Sequence, residues 1–360
     1  MTRRSSGVVL HFRDIGINDR PTVGGKGASL GELTQAGIRV PPGYVISTRA
    51  FERFLAGIDP QGSIRHAIEG LAADDLLAIS RVTESIRERI AAASMPADLR
   101  DAIMAGYAAL CADEGGDLPL AIRSSATSED GNEASFAGLQ DTYLWIRGGD
   151  GVLHAVRDCW ASLYSSESVT YRLRLKLPEE GLAMGVVVQR MVNSRCSGVM
   201  FTRSPLTGDR SVIAIEGSWG LGSAIVSGEV TPDKYVVNKV TGDIMKRTVS
   251  HKTVMHVPDL AAGGVRVEPV PAERRDVACL SDEEIVELAR VGKTIEGHYR
   301  CPQDIEWAFA PDGSGGESLY LLQSRPETIW ANKDVKPTAT PKARAFDHVF
   351  TVLGQQRGNR

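Results

Sequence analysis

Two short runs near residue 310 hold side chains suited to metal and phosphate chemistry. Asp304 and Glu306 stand two residues apart in QDIEWAFA, and Gln323 and Arg325 stand two apart in LYLLQSRP. Alternate side chains of a strand share a face, so each pair would lie together if its run is extended. Between the runs lies Pro311-Asp312-Gly313-Ser314-Gly315-Gly316, a composition that turns a chain. The pattern predicts a β-hairpin with strands over 304–310 and 319–323. In matching register, one surface would carry two carboxylates, a neutral carbonyl oxygen and a guanidinium. Hard oxygen ligands of this kind suit Mg2+, which leaves coordination positions for substrate phosphates. An arginine beside them suits the charge that builds up in phosphoryl transfer. Taken alone, the pattern is also that of an ordinary hairpin with a polar solvent face and a chance arginine.

Other candidates lie upstream. Gly24-Gly25-Lys26-Gly27 precedes a stretch in which Leu30 and Leu33 form an apolar side, so a helix is expected from about Ser29. Glycines let a backbone approach an anion closely, and a helix N-terminus points its positive end that way. Lys26 could then meet a phosphate as a point charge, although a flexible turn with a solvated lysine fits as well. The run lacks the GK[ST] ending of a P-loop. Residues 118–122 predict a buried strand delivering Arg123, followed by a long, small and polar loop over 124–138. Such loops are commonly lids or connectors, and the hydroxyls and amides here could cover phosphates. Residues 184–189 form an apolar run ending in Gln189, and 212–216 a strand ending in Glu216. Trp219-Gly220-Leu221-Gly222 lacks the third glycine of a dinucleotide fingerprint, because Ile225 stands in its place. Ser281 and Glu284 make a capping box, which explains the acidic residues there without a metal.

These residues need a scaffold. Apolar residues recur at helical spacing in Phe51, Phe54, Leu55 and Ile58, in Ile79, Val82, Ile86 and Ile90, and in Leu99, Ile103, Tyr107 and Leu110. Residues 48–110 are therefore expected to be helical support. A further helix is expected over 164–177, with Arg172, Arg174 and Lys176 on a solvated face. From residue 183 the texture changes to short strands, including a three-stranded meander over 234–257. At 360 residues the chain can form two lobes around a cleft. A net charge of −4 gives no general attraction to nucleic acid or anionic membrane. Five scattered cysteines without a CxxC pair indicate neither a zinc site nor a disulfide framework, and a reducing cytoplasm is expected. No apolar run approaches membrane-spanning length. Residues 331–360, with six Lys/Arg against two Asp, suggest a basic tail or linker.

Five motifs occur in order: VGGKGASL, AIRSSATSED, SGVMFTRSPLTG, EGSWGLGSAIVSGEVTPD and DIEW…QSRP. Over roughly residues 12–330 they closely resemble the nucleotide-binding domain of the phosphoenolpyruvate synthase and pyruvate phosphate dikinase family. The resemblance implies an α+β ATP-grasp fold, with an N-terminal lobe over 1–182, a C-terminal lobe over 183–330 and the tail beyond. ATP and Mg2+ are the implied cofactors. Lys26 and Arg123 would bind the phosphates, with Ser124, Ser125 and Thr127 in the covering loop. Gln189 would lie at the adenine, either bonding the base or serving as a polar strand end, and Glu216 would face the nucleotide. Glu306 and Gln323 would hold Mg2+ with Asp304 nearby, and Arg325 would stabilise the transferring phosphoryl group. One departure is Ser223, where the family usually has a glutamate after GLG.

The family's phosphohistidine motif, of the kind GGxTSHAA, surrounds none of the seven histidines. The resemblance therefore implies a partner subunit that carries the histidine and the acceptor site, as in phenylphosphate and related aryl phosphate synthases. That histidine would attack the β-phosphorus of ATP and release AMP, and loss of the γ-phosphate would leave phosphohistidine to phosphorylate a phenol or cresol. The alternatives are a self-contained, antibiotic-type phosphotransferase, a phosphoenolpyruvate synthase component acting on pyruvate, and a non-catalytic nucleotide sensor.

Overall fold

The computed structural model describes residues 7–127, 141–260, 263–313, 315–328 and 330. Most of the expected phosphate-covering loop, 128–138, and the basic tail, 331–360, lie outside the described residues. The first half runs β1 (Val9–His11), α1 (Arg20–Gln35), β2 (Gly43–Ile46), α2 (Thr48–Ile58), α3 (Ser63–Glu69), α4 (Leu76–Ala92), α5 (Ala97–Glu114), β3 (Leu120–Ala126), β4 (Thr142–Ile146), α6 (Gly149–Ser162) and α7 (Ser166–Leu175). The second runs β5 (Met184–Arg190), β6 (Cys196–Phe201), β7 (Val212–Trp219), α8 (Ser223–Val226), β8 (Asp233–Asn238), β9 (Ile244–Thr248), β10 (Val254–Pro258), β11 (Val265–Pro269), α9 (Asp282–Tyr299), β12 (Gln303–Pro311) and β13 (Glu317–Pro326). This is the expected α+β mixture. The chain divides into two units, Met1–Glu327 and Thr328–Arg360, and every element named here belongs to the first.

Two antiparallel sheets carry that unit. The first has strand order β1-β2-β5-β3-β4 and the second β13-β12-β6-β7-β8-β9. β5 reads MGVVVQR, and a strand buried on both faces needs such a continuous apolar run. Val186 and Val188 enter a core formed with the helices of residues 48–169, while Val187 enters a smaller core with Val23, Ala28 and Leu30 of α1. The first sheet thus lies between a helical layer and α1. The second sheet alternates more clearly. Ile213, Ile215, Ile305, Trp307 and Phe309 point into a core closed by Ile285, Leu288 and Ile295 of α9. The residues between them face the other way. Leu33 of α1 joins this second core, so α1 contributes to both.

Several elements differ from expectation. β5, placed by the sequence at the head of the second lobe, is hydrogen-bonded between β2 and β3 of the first sheet. The helix of the glycine motif begins before Ser29. α1 starts at Arg20, breaks at Gly24 with φ 73°, and is helical again beyond it. The expected three-stranded meander is not formed. β8 pairs with β9, whereas β10 pairs with β11 in a separate ribbon. Arg172 is no solvated residue. It is 1% exposed, bonded to Glu179 at 2.8 Å and to the Leu163 carbonyl and Ser168 hydroxyl. A charge can be buried only with such partners, and removing one leaves the other uncompensated. The capping box of α9 forms as predicted, with Ser281 and Glu284 bonded reciprocally. Among the described residues, no helix is long and apolar enough to cross a membrane.

Candidate active site

The hairpin pairs Asp304 with Arg325 and Glu306 with Gln323, the register that puts all four on one face. A β-bulge makes this possible. The register shifts by one between Glu306 and Trp307, so that Trp307 faces Leu321 and Leu322 is the extra residue. Leu319 and Leu321 point into the core of the second sheet. In a regular strand, Gln323 and Arg325 would follow them to that same face. The extra residue turns the remainder of the strand over, which is what bulges do near functional sites. Leu322 itself packs with Ala308 and Tyr320 on the opposite side from the core.

Arg123 reaches this surface from the other sheet. Its Nη1 donates to the Leu322 carbonyl at 2.9 Å. Its Nη2 donates to Glu306 Oε2 at 2.9 Å and to Gln323 Oε1. Arg123 is 8% exposed, so these bonds form largely out of water. The carboxylate and the amide oxygen therefore converge on one positively charged nitrogen. That convergence is what a small divalent cation would require of them, and the two residues fit the expected metal ligands. Arg325 Nε lies 3.6 Å from Asp304 Oδ2.

Ala121, Arg123 and Ser125 alternate along β3 and share one face. Ser125 holds the glycine motif. Its hydroxyl accepts from the Gly27 amide at 3.0 Å and donates to the Val23 carbonyl at 2.8 Å. A Cβ on Gly24 would sit 1.9 Å from the Ser125 carbonyl oxygen, so only glycine allows this approach. Ser29, one turn further, donates to the Ser324 carbonyl of β13. The glycine motif, Arg123 and the hairpin are thus tied into one construction.

Beside Arg123 lies a cavity of about 270 Å³, lined mainly by apolar surface. Ala121, Gln189, Val192, Val199, Ile225 and Leu322 line it, together with Arg123 and Glu306 at its polar side. An apolar slot that ends in a cation and a carboxylate can take a flat, apolar group attached to an anion.

The family model for the pyruvate phosphate dikinase AMP/ATP-binding domain matches residues 20–345. The chain belongs to this family. A probable phosphoenolpyruvate synthase of Methanothermobacter thermautotrophicus is 45% identical over 321 residues, covering 89% of this chain and 46% of that protein. The phosphoenolpyruvate synthase of Aeropyrum pernix is 40% identical over 359 residues, covering 93% and 44%. A probable phosphoenolpyruvate synthase of Methanocaldococcus jannaschii is 41% identical over 316 residues, covering 88% and 26%. The chain spans less than half the length of these relatives.

As an AMP/ATP-binding domain of this family, the chain gathers some of the expected residues and leaves others apart. Arg123, Glu306 and Gln323 meet directly, and Gln189 lies in the cavity wall. Gln189 also donates to the Pro41 carbonyl at 3.2 Å, so one of its hydrogens is committed to the scaffold. Lys26 is nearly buried and outside the cavity wall. It lies near Cys159 of α6, whose thiol is pushed up by burial and by Asp141 while Lys26 opposes the shift. Glu216 stands outside the wall too, 2.9 Å from Lys234 on the neighbouring strand. Ser124 and Thr127 spend their hydroxyls on the carbonyls of Asp141 and Ala183, and Ser125 spends its own on the glycine motif. These hydroxyls shape the backbone around the site. Leu322 is not among the residues expected from the sequence. The signal was present, because two core leucines and two polar site residues fall on the same parity and only a bulge separates their faces.

Proposed function

We propose that this domain binds MgATP between its two sheets and carries out the ATP-cleaving step of a phosphoenolpyruvate synthase-type phosphotransferase. One observation carries the reading: Arg123 of the first sheet meets Glu306 and Gln323 of the second at the polar end of an apolar cavity. The base would enter the cavity alongside Gln189, and the phosphates would lie toward Arg123 and the glycine motif. Glu306 and Gln323 would hold Mg2+, which when bound supplies charge neutralisation for the phosphates. Arg123 supplies a fixed guanidinium to the phosphate oxygens, and Arg325, held beside Asp304, supplies a second to the group in transfer. Lys26 lends positive charge to the glycine motif that faces them.

The acceptor in this reading is a histidine outside the motifs described here, on a partner chain or another segment. Its attack on the β-phosphorus displaces AMP, and water then takes the γ-phosphoryl group away as phosphate, leaving the β-phosphoryl group on the histidine. The relatives' names favour pyruvate as the final acceptor, in place of the phenol or cresol expected from the sequence. The test is to incubate the protein with Mg2+ and ATP labelled at the β-phosphate, with and without cell extract and pyruvate. Acid-labile, base-stable protein label with AMP formation is expected, and pyruvate should discharge it. ADP formation by the chain alone on a small molecule would overturn the reading in favour of a self-contained kinase.

A further inference from the structure

Ser223 stands in the cavity wall with its hydroxyl 2.8 Å from Nδ1 of His256. Nε2 of the same ring lies 3.3 Å from Oε2 of Glu229. His256 is 7% exposed, and its carbonyl accepts from the Leu221 amide at 2.9 Å, so strand and loop are held together. Gly220 permits the approach, with φ 76°, because a Cβ there would sit 2.4 Å from the His256 carbonyl oxygen. The ring therefore has a fixed place behind Ser223. None of the three residues has a part in the metal or phosphate contacts described above.

The direction of this hydrogen-bond chain follows from its outer end. An ionised carboxylate only accepts, so the proton between Glu229 and His256 sits on Nε2. In the neutral ring Nδ1 is then bare and accepts. Its partner is Ser223, which must donate. The Ser223 hydrogen thus points at His256, and only lone pairs of its oxygen face the cavity. We propose that Glu229 and His256 make Ser223 an obligate acceptor there, and that Ser223 selects a ligand carrying an O–H or N–H donor at that point. His256 and Glu229 act as positioning residues. The inference rests on the nucleotide reading of the cavity, in which the donor is a ribose hydroxyl or the amino group of the base.

The test measures binding of ATP, 2′-deoxy-ATP, 3′-deoxy-ATP and purine riboside triphosphate to the wild-type protein, Ser223→Ala and Glu229→Gln. Wild type should bind the analogue lacking the selected donor about fivefold more weakly than ATP, the loss of one cavity hydrogen bond. Which analogue is weakened identifies the donor as hydroxyl or amine. Ser223→Ala should bind that analogue and ATP alike. Glu229→Gln, at an exposed position, can present a donor to Nε2 and should narrow the preference. Nitrogen-15 NMR of labelled histidine should find the Nε2–H tautomer for His256 in the wild type. ATP binding with no discrimination among analogues, a preference that survives Ser223→Ala, or a proton on Nδ1 of His256, in the neutral ring or the imidazolium, would each overturn the inference alone. Absence of ATP binding would overturn the nucleotide reading and the inference with it.

Discussion

The carbonyl of Leu322 accepts a hydrogen bond at 2.9 Å from Nη1 of Arg123, 199 residues away in sequence. Leu322 is the extra residue of a bulge, and a bulge frees backbone groups from the ladder. A guanidinium from the other sheet takes up the carbonyl and, through its second nitrogen, bonds Glu306 and Gln323. The same bulge that turns the metal-type ligands toward the cleft also anchors the arginine that faces them. A divalent cation held as proposed would compete with Arg123 for the same two oxygens. Arg123→Ala should therefore bind Mn2+ more tightly than wild type in the absence of nucleotide, by about tenfold, because a competing positive charge a few ångströms away is gone. Paramagnetic resonance titration of free Mn2+ checks this. ATP turnover in the same variant should fall by about 10²–10³, as for loss of one pre-placed charge-stabilising donor. Equal Mn2+ affinity in the two proteins would separate Arg123 from the metal ligands.

The glycine motif depends on contact with β3, and two substitutions grade that dependence. Ser125→Ala removes one hydroxyl that both accepts from Gly27 and donates to Val23. It should cost about 1–3 kcal/mol in denaturant unfolding, since a buried amide and carbonyl lose their partner. Gly24→Ala forces a Cβ against the Ser125 carbonyl at a positive φ, where the backbone must move. It should cost more than Ser125→Ala, about 3 kcal/mol or above, and should weaken ATP binding in parallel. A Gly24→Ala protein of wild-type stability would show that the approach is not required.

Arg325 is held by its cross-strand partner Asp304 and stays partly exposed. Its proposed work is on the phosphoryl group in transfer. Arg325→Ala should reduce turnover by about 10²–10³ while changing ATP affinity by less than about threefold. Calorimetric titration with ATP and release of AMP measure the two quantities separately. Loss of binding equal to loss of turnover would assign Arg325 to ground-state phosphate binding.

Acid sensitivity should have one identifiable source in the helical layer. Asp59 accepts from the amides of Ser63 and Ile64 at 2.9 and 2.8 Å and from the Ser63 hydroxyl. Burial would raise its pKa, but these bonds and Arg89 outweigh burial and hold the carboxyl below its usual 3.8. A carboxyl depressed on folding adds stability that is fully present above its unfolded value and is lost as pH falls through its folded value. The stability difference between wild type and Asp59→Asn should then be constant above about pH 5, shrink as pH falls below about 4, and become smallest below the folded pKa. Urea unfolding across that range checks it. A difference that does not change with pH would leave the Asp59 charge without a role.

The sequence by itself determined the chemistry available and the local elements. Helical spacing in residues 48–110, the capping box at Ser281 and Glu284, and alternation in the hairpin all appear in the structure, because each depends on neighbours a few residues apart. The pairing of Asp304 with Arg325 and of Glu306 with Gln323 was likewise legible once the turn was located. Tertiary structure alone decided which strands adjoin. β5 enters the first sheet, and β10 leaves β9 for β11, because local alternation specifies that a segment is extended and says nothing of its partner. It alone brought Arg123 to Leu322, Glu306 and Gln323, and Ser223 to His256, since these contacts join segments far apart in the chain. Between these limits stands the bulge. Leu319, Leu321, Gln323 and Arg325 share a parity, and core and cleft cannot both lie on one face of a regular strand. The inconsistency was written in the sequence, and burial of the leucines against the second core decided that the strand resolves it with an extra residue at Leu322.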